Sequence, residues 1–485
     1  MTPPLDLWYL PPGVAPSLAL PHLVQHHGRG STDRQSPSPN ALGEGQERGP
    51  RRIAISPELA RAATAALDRV APALTAMPVR QIIAAIDGAL ACWRQAGDPG
   101  RAALLEHGPA LIGYSREALT YAIDMMLPRF GEDGLVEMLR GELDDPAVLD
   151  GFVPAGGGLR RMARGSGRQL HVFAGTVPTV PIFSLICGLL VKSPVLAKPS
   201  SHDPLFPAVF AQTLARIEPR LADALAVLPW PGGDELLERE AVTGAGAVII
   251  YGSDETVAAY RALAPARARF IGYGHALSIA AVAREALTGR AAPATARRLA
   301  WDVALFDQHG CLSPQLALLE SGGEIEPETF CALLADALAG LAVSLPRGAL
   351  DPADHARIRA LREAARFRSA MDPGVRLWES DGSTAWTVIL QPRADQAGGC
   401  TNRTITVSPI DDLTSGLPAV CSGLPLSCIG LAASPTRARE LEPVMARLTT
   451  RICPLGRMQE PPVTWRHDGR PNVADLVDWV EIETV

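Results

Sequence analysis

No Cys-x-x-Cys pair, no Gly-x-Gly-x-x-Gly, no block of Lys and Arg and no unbroken apolar run of bilayer length occurs in this chain of 485 residues. Each absence excludes something. The cysteines (Cys92, Cys187, Cys311, Cys331, Cys400, Cys421, Cys428 and Cys453) are scattered at spacings that suit no zinc motif, so no metal site is expected and reduced thiols are the simpler account. A net charge of −7 without a basic patch argues against a nucleic-acid partner. The longest apolar run, residues 177–191, is interrupted by Pro178, Pro181 and Gly188 and is too short to span a membrane. No basic stretch followed by an apolar one opens the chain, so no secretory signal is expected and the reading is a soluble, cytoplasmic protein. The missing glycine fingerprint excludes a standard Rossmann dinucleotide turn. No internal repeat is evident.

What is present is a core-forming composition: 47% hydrophobic and 20% charged residues, over a length that suits two or three domains. Residues 1–55, dense in Pro, Gly, Ser and His, read as a poorly ordered tail with residues 5–10 docking on the fold. Ser56-Pro57-Glu58 has the form of an N-cap, an N1 proline and an acidic first turn. Helical periodicity follows, with Leu59, Ala62, Ala63, Ala66 and Leu67 on one face, and further helices at about 79–95, 100–107, 115–127 and 134–141. Residues 56–165 thus read as a helical layer ahead of the main fold.

From about 168 the period changes. Strands at 169–173 and 195–197, a third beginning at Val227 and a fourth at 247–251 alternate with helices at 182–191, 204–217 and 254–263. That alternation indicates a doubly wound parallel sheet over 166–300, with ligands bound at the carboxyl ends of its strands. A second α/β region, 301–450, holds residues 303–306, helices at about 327–342 and 352–368, and strands near 385–390 and 403–407. Residues 451–485 read as a tail that wraps back over the fold.

The most informative segment is Phe306-Asp307-Gln308-His309-Gly310-Cys311-Leu312-Ser313-Pro314-Gln315. A cysteine after a glycine, between polar residues, is how a loop presenting one thiol is written. A thiolate is a strong nucleophile toward thioesters and aldehydes and needs little besides a lowered pKa and access. The plainer reading is a buried structural cysteine. Three strand ends in the first α/β region have the character of nucleotide contacts. Ala174-Gly175-Thr176-Val177-Pro178 closes a strand and opens a helix, which leaves backbone N–H groups for an anion. Lys198-Pro199-Ser200-Ser201 ends a strand with a cation and two hydroxyls, and Gly252-Ser253 stands before a helix. Each also reads as a packed turn, a solvated lysine or an ordinary N-cap; together, on successive strands, they favour a dinucleotide.

The segments HVFAGTVP (171–178), LLVKSPVLAKPSSHDPL (189–205), YGSDETVAAY (251–260), FIGYGHALS (270–278), DVALFDQHGCLSPQ (302–315) and ICPLGRMQEPPVTWRHDGRPN (452–472), in this order, resemble the acyl-CoA reductase family of the bacterial luminescence pathway. This LuxC type lies within the aldehyde dehydrogenase superfamily. The resemblance covers about 150–485. It implies an aldehyde dehydrogenase-like α/β fold of two doubly wound parallel-sheet domains with an N-terminal helical layer. It further implies NADPH-dependent reduction of an acyl thioester to an aldehyde through an acyl group on Cys311. Lys198, Ser200 and Ser201 would hold the adenosine ribose and its 2′-phosphate, and Gly252 and Ser253 the pyrophosphate. Ser201 stands where NAD-preferring relatives carry a glutamate that would repel a 2′-phosphate, hence NADP(H) as the expected cofactor.

Two departures from the superfamily follow from the same matching. Thr176 replaces the asparagine that donates to the oxyanion, a loss worth on the order of 10²-fold in rate. The water-activating glutamate of hydrolytic relatives corresponds to Gly272 or Tyr273, which suits an enzyme that must keep its acyl thioester until it is reduced. His275 and His309 are the nearest titratable groups for proton transfer. The implied partners are acyl-CoA or an acyl-loaded protein of the acyl-protein synthetase type, and a second copy of the chain. Two other functions fit the thiol: an acyltransferase or thioesterase without redox chemistry, and a catalytically weak scaffold for an acyl-transfer partner.

Overall fold

The computed structural model describes residues 5–14, 50–175, 177–394 and 400–483. The chain divides into two compact units. The first takes the residues up to Ile112, Leu119–Gly274 and those from Arg470 on; the second takes Gly113–Ala118 and His275–Gly469. The divisions therefore fall at 274 and 469, where the sequence reading put limits at 300 and 450.

In the first unit a hairpin of β1 (Val153–Gly156) and β2 (Leu159–Gly165) precedes five strands. These are β3 (Gln169–Val172), β4 (Val195–Lys198), β5 (Leu225–Val227), β6 (Ala247–Tyr251) and β7 (Arg269–Tyr273). They form one parallel sheet in the order β5-β4-β3-β6-β7, whose strand order reverses between β3 and β6. A reversal of this kind opens a crevice at the carboxyl ends, where such sheets take their ligands. Val227 ends its strand and does not begin it. Pro229 and Pro231 follow, and without N–H groups they cannot extend a ladder.

The helix Pro57–Ala76 is capped by Ser56, whose hydroxyl accepts from Leu59 N at 3.1 Å. Its buried face of Leu59, Ala63, Ala66 and Leu67 joins Leu170, Val172, Leu196, Ala226, Val248 and Ile250 in one core. The helix is thus a cover of the parallel sheet and not a separate layer. The opposite face of the sheet meets the helix Thr179–Leu190, where Gly188 leaves room for Val195. On that face His171 is fully buried between Ser184 Oγ (2.7 Å) and Gln169 Oε1 (3.0 Å), and burial holds its pKa down at about 3, so the ring is neutral. Residues 5–10 do dock: Tyr9 and Val227 exchange backbone hydrogen bonds at 3.0 and 2.8 Å, which covers the open edge of β5.

The second unit holds β8 (Leu277–Val282), β9 (Pro314–Glu320), β10 (Arg376–Glu379), β11 (Thr387–Leu390), β12 (Thr404–Ile410), β13 (Leu426–Ala432) and β14 (Ile452–Pro454). Their order is β10-β11-β12-β9-β8-β13-β14, with β10 antiparallel to β11 and the rest parallel. Residues 303–304 end the helix Ala292–Ala304, and the next residues form a tight turn. The helix Pro327–Ser344 is long and apolar enough to cross a membrane; Phe330, Cys331, Leu334, Ala335 and Leu338 on it are buried in this unit. The last strand, β15 (Val477–Glu483), returns to the first unit and pairs antiparallel with β2. The expected tail is therefore split: residues up to 469 belong to the second unit and the rest to the first.

Candidate active site

Cys311 precedes β9 and so lies at the amino end of its strand. Its loop begins with three successive left-handed residues, Phe306 (φ 53°), Asp307 (52°) and Gln308 (65°). A second such triplet, Thr401 (54°), Asn402 (58°) and Arg403 (60°), precedes β12. None is glycine, and this conformation costs about 1–2 kcal/mol per L-residue. Side chains in and beside the two triplets tie the turns together. Arg403 Nε donates to Asp307 Oδ1 at 2.8 Å in a buried ion pair. Gln308 Oε1 accepts from Thr404 N at 2.8 Å, and Gln308 Nε2 donates to Pro314 O at 2.7 Å. His309 Nε2 lies 2.8 Å from Asn402 Oδ1. Asp307 Oδ2 also accepts from Gly348 N at 3.0 Å, while Phe306 packs on the Tyr114 ring. Long-range ties hold a turn that local preference would not make.

Further residues at the amino ends of neighbouring strands converge on Cys311. Ser278, in β8, donates to its carbonyl at 2.6 Å. Ser427 is an extra residue of β13, since Leu426 and Cys428 oppose the consecutive Leu277 and Ser278 of β8. Such bulges re-aim a side chain. Its hydroxyl donates to Asp468 Oδ1 at 2.8 Å. Asp468 is itself left-handed, with φ 49°. Arg451, just before β14, is pinned by the carbonyls of Met458 (2.6 Å) and Arg457 (2.9 Å). Burial pushes the Cys311 thiol up to about 11, and the Asp468 charge adds to this. Ser427, the residue's own backbone N–H and Arg451 act in the opposite direction. The expectation of a lowered thiol pKa is corrected: at neutral pH the resting group is S–H.

The nucleotide candidates of the first unit sit at carboxyl strand ends. Lys198 ends β4 with its ammonium 5.7 Å from the Trp230 ring centre; burial lowers its pKa, and Glu238 opposes that. It is one of two lysines in the chain, the other being Lys192, which is tied to Asp150 at 2.7 Å. Ser200 is buried and accepts from His202 N at 3.0 Å, whereas Ser201 is exposed. Gly252 N donates to Tyr273 O at 3.1 Å, and Ser253 caps the helix Asp254–Leu263, accepting from Thr256 N at 3.3 Å. Gly175, after β3, has φ 76°, and a Cβ there would come 2.5 Å from Ser200. Thr176 lies outside the described residues. This is a set able to hold a dinucleotide: a cation and hydroxyls after β4, a helix N-terminus after β6, and a glycine that keeps the backbone bare after β3.

His275 is exposed between β7 and β8. His309 is half-buried, with one ring nitrogen given to Asn402 and its ring near Tyr114. Among the described residues no group of three or more His, Cys, Asp or Glu could hold a metal ion, and all eight cysteines are free. Sequence reasoning missed Ser278, Asn402, Arg403, Ser427, Arg451 and Asp468. Ser278 and Asp468 lie inside the matched segments FIGYGHALS and WRHDGRPN but carried no assigned role. Ser427 gives no signal, being one serine in an apolar strand.

The architecture is that of the aldehyde dehydrogenases. Solved structures with the same fold include aldehyde dehydrogenase 21 of Physcomitrella patens (TM-score 0.70, 13% identity, 90% of this chain and 92% of that one). Another is a methylmalonate-semialdehyde dehydrogenase of Oceanimonas doudoroffii (TM-score 0.68, 13% identity, 90% and 92%). Within that fold, residues 74–479 match the acyl-CoA reductase (LuxC) model, and the chain belongs to that family. Curated relatives include long-chain acyl-protein thioester reductases of Aliivibrio fischeri (23% identical over 315 residues, 64% of this chain) and Photorhabdus laumondii (26% over 185 residues, 38%). The chain spans 62% and 38% of the lengths of these two relatives.

Proposed function

We propose that this protein reduces an acyl thioester to an aldehyde, using NADPH, through an acyl group carried on Cys311. The observation that carries this reading is the Cys311 thiol, held by two interlocked left-handed turns in a chain whose curated relatives are named acyl-protein thioester reductases. A bound nicotinamide would supply the two-electron reductant. Lys198, Ser200 and Ser201 would hold its adenosine ribose and 2′-phosphate, and Gly252 and Ser253 its pyrophosphate. Ser201 is exposed and uncharged, which leaves room for a phosphate that a carboxylate would repel. Cys311 Sγ attacks the thioester carbonyl and the outgoing thiol leaves. Backbone N–H groups of the Cys311 loop would stabilise the oxyanion, with Thr176 the expected second donor by the family resemblance, and the thiol is restored as aldehyde departs. His275 and His309 are the histidines nearest to this chemistry in the sequence.

That neither Gly272 nor Tyr273, the places matched to the water-activating glutamate, is a carboxylate supports reduction over hydrolysis. A Cβ at Gly272 would meet Val257 at 2.5 Å, and Tyr273 is buried with its ring 4.7 Å from that of Tyr251. Neither place can present a carboxylate. The substrate is a long acyl chain on CoA or on a synthetase-type partner protein, and the working form is a homo-oligomer, which size-exclusion with light scattering measures.

Incubation with NADPH and a panel of acyl-CoAs tests the proposal. Loss of cofactor absorbance, aldehyde product and an acyl mass on the protein are expected, and Cys311→Ala should lose all three. Acylation with thiol release but no cofactor oxidation would indicate an acyltransferase or thioesterase. Binding of an acyl partner without turnover would indicate a scaffold.

A further inference from the structure

Two of the free cysteines, Cys428 on β13 and Cys453 on β14, have their sulfurs 3.6 Å apart inside the second unit. Cys428 is fully enclosed, whereas Cys453, 9% exposed, is the one a small oxidant can reach. Arg451 Nη1 lies 3.5 Å from Cys428 Sγ. The hydrogen bond from Cys428 holds the Cys453 thiol below its ordinary pKa against burial, and the Arg451 charge adds to the effect. Cys428 itself is pushed up, by that shared hydrogen bond and then by burial. A thiol that ionises early, beside a second thiol able to resolve it, is the arrangement of a redox-active pair. A structural cysteine packs as a small apolar side chain and needs no such neighbour.

We propose that Cys428 and Cys453 close to a reversible disulfide when the protein meets a peroxide, and that closure displaces β14 and slows the acylation of Cys311. The bond itself is independent of the acyl-enzyme reading above; its effect on Cys311 rests on that reading. The Cys453 thiolate attacks one oxygen of hydrogen peroxide, the O–O bond breaks, and with a proton from solvent the products are a sulfenic acid and water. The Cys428 sulfur then attacks the sulfenic sulfur and a second water leaves. In sum, two thiols and one peroxide give one S–S bond and two waters, the electron pair passing from sulfur to oxygen. A small dithiol reverses the step by exchange and is itself oxidised to a disulfide.

The strand register dictates that closure moves something. Ile429 faces Ile452 and Gly430 faces Cys453, so the two cysteines are diagonal and not direct neighbours along the parallel pair. Their sulfurs must come from 3.6 Å to about 2.05 Å to bond. β13 is paired on both sides, with β8 and β14, whereas β14 has three residues and ends the sheet. The short edge strand therefore takes up the movement, and a disulfide strained in this way is readily reduced again. Two routes lead from β14 and Cys428 to the active cysteine. Cys428 faces Ser278 in the ladder with β8, and Ser278 donates to the Cys311 carbonyl at 2.6 Å. Arg451, immediately before β14, is bound to the carbonyls of Met458 and Arg457, and its charge favours the Cys311 thiolate. Beyond β14, Asp302 holds the N–H groups of Gly456 (2.5 Å) and Met458 (3.0 Å), so that the loop follows the strand as one piece.

Bond formation is read in Cys311→Ala, where the active thiol takes no part. Dilute hydrogen peroxide, alkylation of the remaining thiols and tryptic mass spectrometry should show the peptide Thr404–Arg437 joined to Ile452–Arg457. Fragmentation should place the link at Cys428 and not at Cys421, and dithiothreitol should release it. In the wild type the same treatment, ended with catalase, should slow labelling by an acyl-CoA at least about tenfold, since small displacements of a reacting group carry penalties of that order. Dithiothreitol should restore the rate. Cys453→Ser should label at the wild-type rate before treatment and keep that rate after it; direct oxidation of Cys311 appears in both proteins and is subtracted. Cys428→Ser gives the same comparison from the other side of the pair. Thiols that stay open to alkylation at every peroxide dose, or a mapped bond that leaves labelling within twofold, would overturn the switch. An untreated wild type that takes no acyl label overturns the acyl-enzyme reading and the regulatory half of the proposal, while the peptide map still decides the bond.

Discussion

The strand ends of the two sheets are made in different ways. Around β4 and β6 the candidate contacts are local: Ser253 caps its own helix, Ser200 turns back on His202, and Gly175 makes room through its own missing Cβ. Around β9 the decisive side-chain ties are long-range. Asp307, Gln308 and His309 are held by Arg403, Thr404 and Asn402, nearly a hundred positions on, and Ser427 reaches Asp468 across another gap. A ligand held through backbone and charge tolerates a site built from caps and turns. A reacting sulfur must be placed to a fraction of an ångström, and only groups locked by their neighbours do that.

Breaking the long-range ties should therefore cost most. Arg403→Ala leaves the Asp307 carboxylate buried without its partner, a loss of about 3–5 kcal/mol. Urea unfolding should show a lower midpoint for the second unit, and a loss of unfolding free energy under about 1 kcal/mol would mean that the left-handed turn stands without its tie. Next in size is the cofactor contact. Ser201→Glu should raise the KM for NADPH at least tenfold, with a smaller change for NADH, because its carboxylate would repel a 2′-phosphate. Equal effects on both cofactors would place the 2′-phosphate elsewhere. The smallest effect belongs to the local site. Ser253→Ala removes one N-cap, worth about 1 kcal/mol, and should leave Cys311 labelling unchanged.

The same contrast explains what could be read in the sequence. Strands bounded by turn residues were legible: β3, β4 and β6 lie within a residue or so of their expected places, and the Ser56 cap and the helix Asp254–Leu263 are found as expected. The strands β8, β9 and β13 were not. They are buried on both faces and rich in Ala and Leu, so they lack the alternation that separates a strand from a helix. Cys311 was visible because a glycine and polar residues flank it. The triplet Phe306-Asp307-Gln308 holds no glycine and only one residue, Asp307, that tolerates positive φ well, so packing and ion pairing from another part of the chain impose it. Ser427 was invisible for a related reason: a register shift, not a residue type, sets it apart from the strand around it.

The path of the last strand has a practical consequence. Glu142 accepts from Asn472 N at 2.8 Å across 330 positions, and β2 gains its partner β15 only there. A nascent chain must carry that open strand edge until the second unit has been synthesised. Anyone dissecting the molecule by a single cut after 274 would obtain a first half missing its closing strand, so a fragment holding the first unit has to be made with residues from Arg470 onward grafted back.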